Sequence, residues 1–252
     1  MGKLKRFIPI RFEHRCRVPL QGAFTLIELL VVMLLLIILV GLLITAISGA
    51  KKKARKIQCL SNSKQWGLAI WLYTGDNHDL FPYEGHFLTA LDEGVNINAW
   101  YNTLSSYTGG LKLSDLYLSE QPPLPGQKSL FVCPAVAEDP KSPPTRSNPF
   151  FMYGFNNRMD PNGSGRFRMS QLRKPSQTVI FTENSQARYP STSGRHTPAR
   201  HAGKANLAFG DGHAESVGIN DYSRTAEEDT DSRKEWSNNH LVYWYPFSGA
   251  PP

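Results

Sequence analysis

The sequence predicts an α+β protein. One long N-terminal helix, membrane-spanning in its first half and amphipathic in its second, leads into a globular part with long loops and a β-hairpin. Three observations carry this expectation. Residues 24–47 form a run of 24 residues in which Glu28 is the only charged side chain. No proline interrupts the chain between residues 21 and 81. Far downstream, Leu207 and Phe209 alternate ahead of Gly210-Asp211-Gly212, and Ala214 to Val217 follow, the pattern of two strands joined by a tight turn.

The first element is a basic leader. Residues 1–23 carry Lys3, Lys5, Arg6, Arg11, Arg15 and Arg17 against Glu13, a formal +5. Positive charge is retained on the cytoplasmic side, so the N-terminus is expected to stay in and the rest to cross. A second cluster, Lys51, Lys52, Lys53, Arg55 and Lys56, also sums to +5 and leaves orientation undecided by charge alone. The run between them exceeds the roughly 20 apolar residues that span a bilayer. A secretory signal cut after Ser48-Gly49-Ala50 competes, but such a signal has an apolar core of only about 7–15 residues. A carboxylate at bilayer depth costs on the order of a few kcal/mol, which marks Glu28 as a functional candidate. The plainer reading is a Glu near the helix start whose carboxylate snorkels to the headgroups.

The run Gly22-Ala23-Phe24-Thr25-Leu26-Ile27-Glu28 resembles the N-terminus of type IV prepilins and of type II secretion pseudopilins. In that family a prepilin peptidase cuts on the cytoplasmic side and methylates the new N-terminal Phe. The resemblance implies cleavage after Ala23, with Phe24 first and Glu28 fifth; the family's usual Gly stands one residue earlier, at Gly22. It also implies that Glu28 pairs with the N-terminal amine of an adjacent subunit during assembly. A charge buried among apolar helices needs such a partner. The family's helix-breaking Pro is replaced here by Thr45, and Gly41 is the nearest helix-weakening residue. The implied architecture is pilin-like: α+β, the long N-terminal helix packed by its outer half on a small antiparallel sheet.

Beyond the membrane the helix is expected to continue. Ile57, Leu60, Leu68, Trp71 and Leu72 fall within an arc of roughly 120° at 100° per residue, which predicts the face turned to the globular domain. The helix should end near Thr74-Gly75. Asp76-Asn77-His78-Asp79 then offers oxygen ligands for calcium, without the spacing of an EF-hand, and serves equally as an ordinary turn. Residues 82–150 are loop-rich, punctuated by proline at 122–125 and 140–144, with a short strand expected at Ser129 to Cys133. Trp100 to Leu104 opens a helix or a strand. Asn156 to Gly165 reads as a surface loop. Thr178 to Glu183 is a strand candidate.

The C-terminal segment resembles a pattern of a large prepilin-like family common in planctomycetes and verrucomicrobia: His, nine residues, then Asp-Gly, met here by His201, Asp211 and Gly212. Cys59 to Leu68, Cys133-Pro134, Tyr153 to Asn156 and Lys174 to Ser176 agree loosely with the same family; the tail with Trp236 and Tyr243-Trp244-Tyr245 is not covered. Three roles are open for the motif. His201 and Asp211 shape a turn, or His201, Asp211, His213 and Glu215 gather a metal, or His201 acts as a base oriented by Asp211. His213 and Glu215 share a face if they lie in a strand. No Gly-x-Ser-x-Gly elbow presents a nucleophile, so no enzyme is expected.

Composition bounds the rest. The chain has 252 residues and a net charge of +7, of which +5 belongs to the leader. The remaining basic cluster abuts the membrane run and suits anionic lipid headgroups; no basic stripe interleaved with aromatics points to nucleic acid. Of three cysteines, Cys16 leaves with the leader. Cys59 and Cys133 remain, as two buried thiols or one disulfide, and two cysteines at this separation are too few for a structural zinc site. The expected organisation is a cleaved leader at 1–23, a transmembrane and assembly segment at 24–50, an amphipathic continuation at 51–75, and a globular periplasmic or extracellular domain at 76–252 that includes the hairpin region 201–217. The expected place is the bacterial inner membrane, N-terminus in the cytoplasm. The resemblance implies as partners other pilin-like subunits, the prepilin peptidase and a secretion or pilus platform, beside membrane lipids. The runner-up is a membrane-anchored extracytoplasmic ligand-binding module that never polymerises.

Overall fold

A computed structural model describes residues 25–136, 140, 142–160, 166–185 and 188–252. The predicted leader, including Cys16, lies outside the described residues, as do residues 161–165 of the loop expected over Asn156 to Gly165, whose first half is a strand end and a 3-10 turn at Asn157–Met159. The chain divides into two compact units, Met1–Ser48 and Gly49–Pro252.

Helix α1 runs over Leu26–Asp76, 51 residues. Thr25 caps it: the Glu28 backbone N–H donates to Thr25 Oγ1 at 3.3 Å, while Thr25 N–H donates to Glu28 Oε2 at 2.8 Å. This reciprocal box satisfies two backbone donors that a helix start leaves open. Thr45, where the family has Pro, leaves the helix unbroken; its hydroxyl donates to Leu42 O at 2.8 Å. Gly75 sits inside the helix instead of ending it. The stop is made by His78 and Asp79, at φ of 57° and 67°, with Asp79 N–H donating to Thr74 O. Asp is among the few non-glycine residues that visit this left-handed region readily.

The buried face of α1 is not the one its large apolar residues predict. Ile57, Leu68, Trp71 and Leu72 are exposed, at 66%, 42%, 51% and 46%. The buried residues are Cys59, Asn62, Ser63, Trp66, Gly67, Ala69, Ile70, Tyr73 and Thr74. Their spacing is helical too, but the face is built of small residues between large ones. Gly67 explains why: a Cβ there would lie 2.9 Å from Ala208 Cβ, so the helix backbone rests directly on a strand. Close approach selected the face, and residue-by-residue hydrophobicity did not reveal it.

The sheet has five strands in the order β3-β1-β2-β4-β5. These are β1 (Tyr153–Asn156), β2 (Val179–Glu183), β3 (Ser191–Thr192), β4 (Lys204–Phe209) and β5 (Ala214–Gly218). All pairings are antiparallel except β1 with the short edge strand β3, which is parallel. The α+β architecture expected from the sequence is therefore present, with one parallel edge. Six short α-helices, α2 (Trp100–Thr103), α3 (Ser105–Thr108), α4 (Leu113–Leu118), α5 (Ile219–Tyr222), α6 (Ala226–Thr230) and α7 (Ser232–Ser237), and three 3-10 turns at Gly94–Asn98, Asn157–Met159 and Met169–Gln171 complete the described elements. The ambiguous segment at Trp100 is thus helical.

Both faces of the central strands are covered. β4 alternates as a strand must: Ala208 joins Trp66, Ile70, Trp100, Phe131 and Phe181 in one core, while Ala205, Leu207 and Phe209 join Val242 and Trp244 in another. The C-terminal tail is therefore the second layer. It is tied to β2 by Val179 N–H to Tyr243 O at 2.8 Å and Tyr243 N–H to Gln177 O at 2.7 Å. Buried Trp side chains keep their N–H groups paired, Trp66 to Leu130 O and Trp100 to Pro190 O. The strand expected at Ser129 to Cys133 is a turn-rich loop instead. Its carbonyls serve α1: Leu130 O takes the Trp66 indole and Val132 O takes Asn62 Nδ2.

Candidate functional site

Three places carry chemistry. The first is the start of α1. Gly22, Ala23 and Phe24, the expected cleavage and methylation residues, lie outside the described residues. Glu28 is present and exposed, and both of its carboxylate bonds fall on Oε2, from Thr25 N–H and from Thr25 Oγ1 at 2.7 Å. Oε1 has no partner among the described residues, so the cap does not exhaust the group. α1 is the one helix among the described residues long and apolar enough to cross a membrane.

The second is the motif of His201 and Asp211. The hairpin is where the sequence placed it, but its turn differs in detail. Gly212 takes φ 85° while Asp211 does not, and Gly212 N–H donates to Phe209 O at 2.9 Å. Asp211 Oδ1 accepts from His213 N–H at 3.1 Å and lies 2.5 Å from His213 Nδ1, on the surface. The His213 ring stacks on Phe209 at 4.4 Å. His201 is at the opposite end of β4, whose six residues rise about 20 Å. Glu215 is exposed on β5 opposite Leu207. The structure thus joins Asp211 to His213 but does not gather His201, Asp211, His213 and Glu215 into one ligand set, because β4 separates the first from the others.

His201 instead meets residues that sequence reasoning paired with nothing or only with each other. Its Nε2 lies 2.5 Å from Glu183 Oε1, and both side chains are buried. Glu183, at the end of β2, also accepts from Asn206 Nδ2 at 3.0 Å. Cys133 Sγ is 3.8 Å from Glu183 Oε1, and Cys59 Sγ is 2.7 Å from Cys133 Sγ. These four residues are the one group among the described residues able to hold a metal ion, with donor atoms within 4.8 Å of one another. The Tyr153 hydroxyl is buried without a hydrogen-bond partner among the described residues. Burial disfavours the His201 imidazolium, but bonds to Cys133 and Glu183 outweigh it and hold the pKa up at about 9. The bond between the two thiols pulls Cys59 down, and the same bond, with burial, pushes Cys133 up. Glu183 was detectable in the sequence by the logic that singled out Glu28: a lone carboxylate closing an apolar run, Val179-Ile180-Phe181-Thr182.

A cleft of about 360 Å³ opens beside His201, lined also by Lys52, Lys53, Arg55, Lys56 and Arg200. The third place is a larger cleft of about 520 Å³ at the β3 edge, where Glu84, Asp160, Ser191 and His196 meet Tyr83, Phe87 and Tyr189. Burial raises the Glu84 pKa to about 8, against a bond from the Ser191 hydroxyl, and burial also raises Asp160. No sequence signal pointed here, since its members come from separated segments.

The acidic turn after α1 is committed elsewhere. Asp76 accepts from the Tyr107 hydroxyl at 3.1 Å, Asn77 Nδ2 donates to Tyr73 O, and Asp79 accepts from Ser170 N–H. These groups turn to three separate partners and do not converge on a calcium position. Comparison with family models, curated proteins and solved structures returned no match to this chain.

Proposed function

We propose that the chain is a pilin-like or pseudopilin subunit, processed by a prepilin peptidase and assembled through its N-terminal helix into a type II secretion or type IV pilus-like fibre. The carrying observation is Phe24-Thr25-Leu26-Ile27-Glu28, a lone carboxylate at the head of an apolar run behind a +5 leader. In this reading the leader stays in the cytoplasm, the run crosses the inner membrane, and the domain lies outside. Glu28 Oε1 is left to pair with the amine of a neighbouring Phe24. The exposed stripe of Ile57, Leu68, Trp71 and Leu72 supports lateral packing, since apolar side chains on a helix gain from being covered by a like helix.

The test is mass spectrometry of the N-terminal peptide from chains expressed with and without a prepilin peptidase. A start at methylated Phe24 is the expected result. An uncut leader, or a start at Lys51, would overturn the reading.

The cleft around Glu84, Asp160 and His196 favours a second reading, an anchored ligand-binding module. Replacing Glu28 separates the two: co-assembly is lost in a fibre subunit, and nothing is lost in an anchor.

A further inference from the structure

We propose that Cys59 and Cys133 form a disulfide that ties the outer segment of α1 to the loop following α4, and that this buried cluster is not a metal centre. The inference rests on the reading above for its oxidising compartment, where such bonds form and persist. It stands on three observations.

The sulfurs are 2.7 Å apart, a small shift from a bond of about 2.05 Å. Tetrahedral zinc, with Zn–S near 2.3 Å, would hold them about 3.8 Å apart. The other two donors are turned to each other and to Asn206: His201 Nε2 to Glu183 Oε1 at 2.5 Å, and Asn206 Nδ2 to the same oxygen at 3.0 Å. A carboxylate and an imidazole so bonded are not splayed around an ion. Finally, the cleft beside His201 is lined by four cations of α1 and by Arg200, a field that repels a divalent cation on approach.

Forming the bond breaks two S–H bonds and makes one S–S bond. Two protons and two electrons pass to a disulfide-bearing thiol oxidant, which leaves as its dithiol. Both cysteines are fully buried in the finished fold. The exchange therefore precedes closure of the domain, while the oxidant can still reach the thiols. His201 and Glu183 then pack against a neutral bond, not a titrating thiol.

The experiment uses the full chain, exported, extracted in detergent without reductant, denatured and alkylated with N-ethylmaleimide, then digested for mass spectrometry. The expected result is one peptide pair joined through Cys59 and Cys133, two hydrogens lighter than the separate peptides, with neither cysteine alkylated and no stoichiometric zinc in the intact protein. The N-terminal peptide in the same digest reports processing independently. A second sample is unfolded in urea and refolded with oxidised and reduced glutathione. A link that forms only there upholds the pairing and sinks the compartment assigned above. Two alkylated thiols in both samples, or one zinc per chain with both thiols free, overturns the disulfide.

Discussion

At Glu28 two demands meet on one carboxylate. It closes the cap with Thr25, and the proposed function asks its charge to pair with an amine. The two are separable, because Gln also completes a capping box but carries no charge. Glu28→Ala should lose both, leaving the Thr25 N–H without its side-chain acceptor. Glu28→Gln should keep the cap and, if the charge matters, fail equally in co-assembly, measured by cross-linking between subunits. A Glu28→Gln chain that assembles normally would reduce Glu28 to a cap. His201 and Glu84 make a pH prediction. With the cysteines reduced, His201 is raised from 6.5 to about 9, so its share of stability is complete below pH 6.5 and is lost as pH rises through 9; the disulfide removes the Cys133 part and leaves the bond to Glu183. Glu84 is raised from 4.5 to about 8, so burial favours its protonated form, and that share is lost as pH rises from 4.5 through 8. The Tm followed by circular dichroism should fall from pH 5 to pH 9.5. Glu84→Gln should flatten the lower part of that slope and His201→Gln the upper part.

For the elements, α1 is the test of how far hydrophobic pattern reads structure. Its existence, its length and its end within two residues were all legible, from the absence of proline and the apolar run. Its buried face was not, because Gly67, Ser63 and Ala69 contribute contact without contributing hydrophobicity. Gly67→Leu should therefore destabilise the domain by about 1–3 kcal/mol, the usual cost of overpacking, seen as a lowered Tm. Leu68→Ala, on the exposed face, should leave Tm nearly unchanged. The tail is the opposite case, invisible to resemblance yet built into the core. Glu235 is fully buried and accepts from Arg224 Nε, Trp244 N–H and Tyr245 N–H at 2.8–2.9 Å. Glu235→Ala would strand Arg224 and two backbone donors, at about 3–5 kcal/mol. Urea titration of tryptophan fluorescence should show this loss; a shift under 1 kcal/mol would mean the tail is held by its aromatics alone.

Across the whole molecule, what was legible was local. The hairpin, β2 and the long helix each announce themselves within a dozen or so residues, or by an uninterrupted run. What was hidden depends on partners far apart in the chain. Strand order places β1 between β2 and β3, and β3 pairs in parallel although its two residues carry no strand pattern. The loop at Ser129 to Cys133 has strand-like composition, but its carbonyls answer Trp66 and Asn62. The same limit hid the site. His201 and the two cysteines were each noticed, but their convergence on Glu183 needs β2, β4 and α1 to be in place.

The tail that covers the second face of the sheet has a consequence for timing. A ribosome makes β2 and β4 before Val242 and Trp244, so Leu207 and Phe209 stay bare until those later residues emerge. The order of synthesis by itself therefore delays completion of the second layer of the fold. Closure of that layer comes only with this later stretch, so a chain cut short before Val242 should keep Leu207 and Phe209 bare.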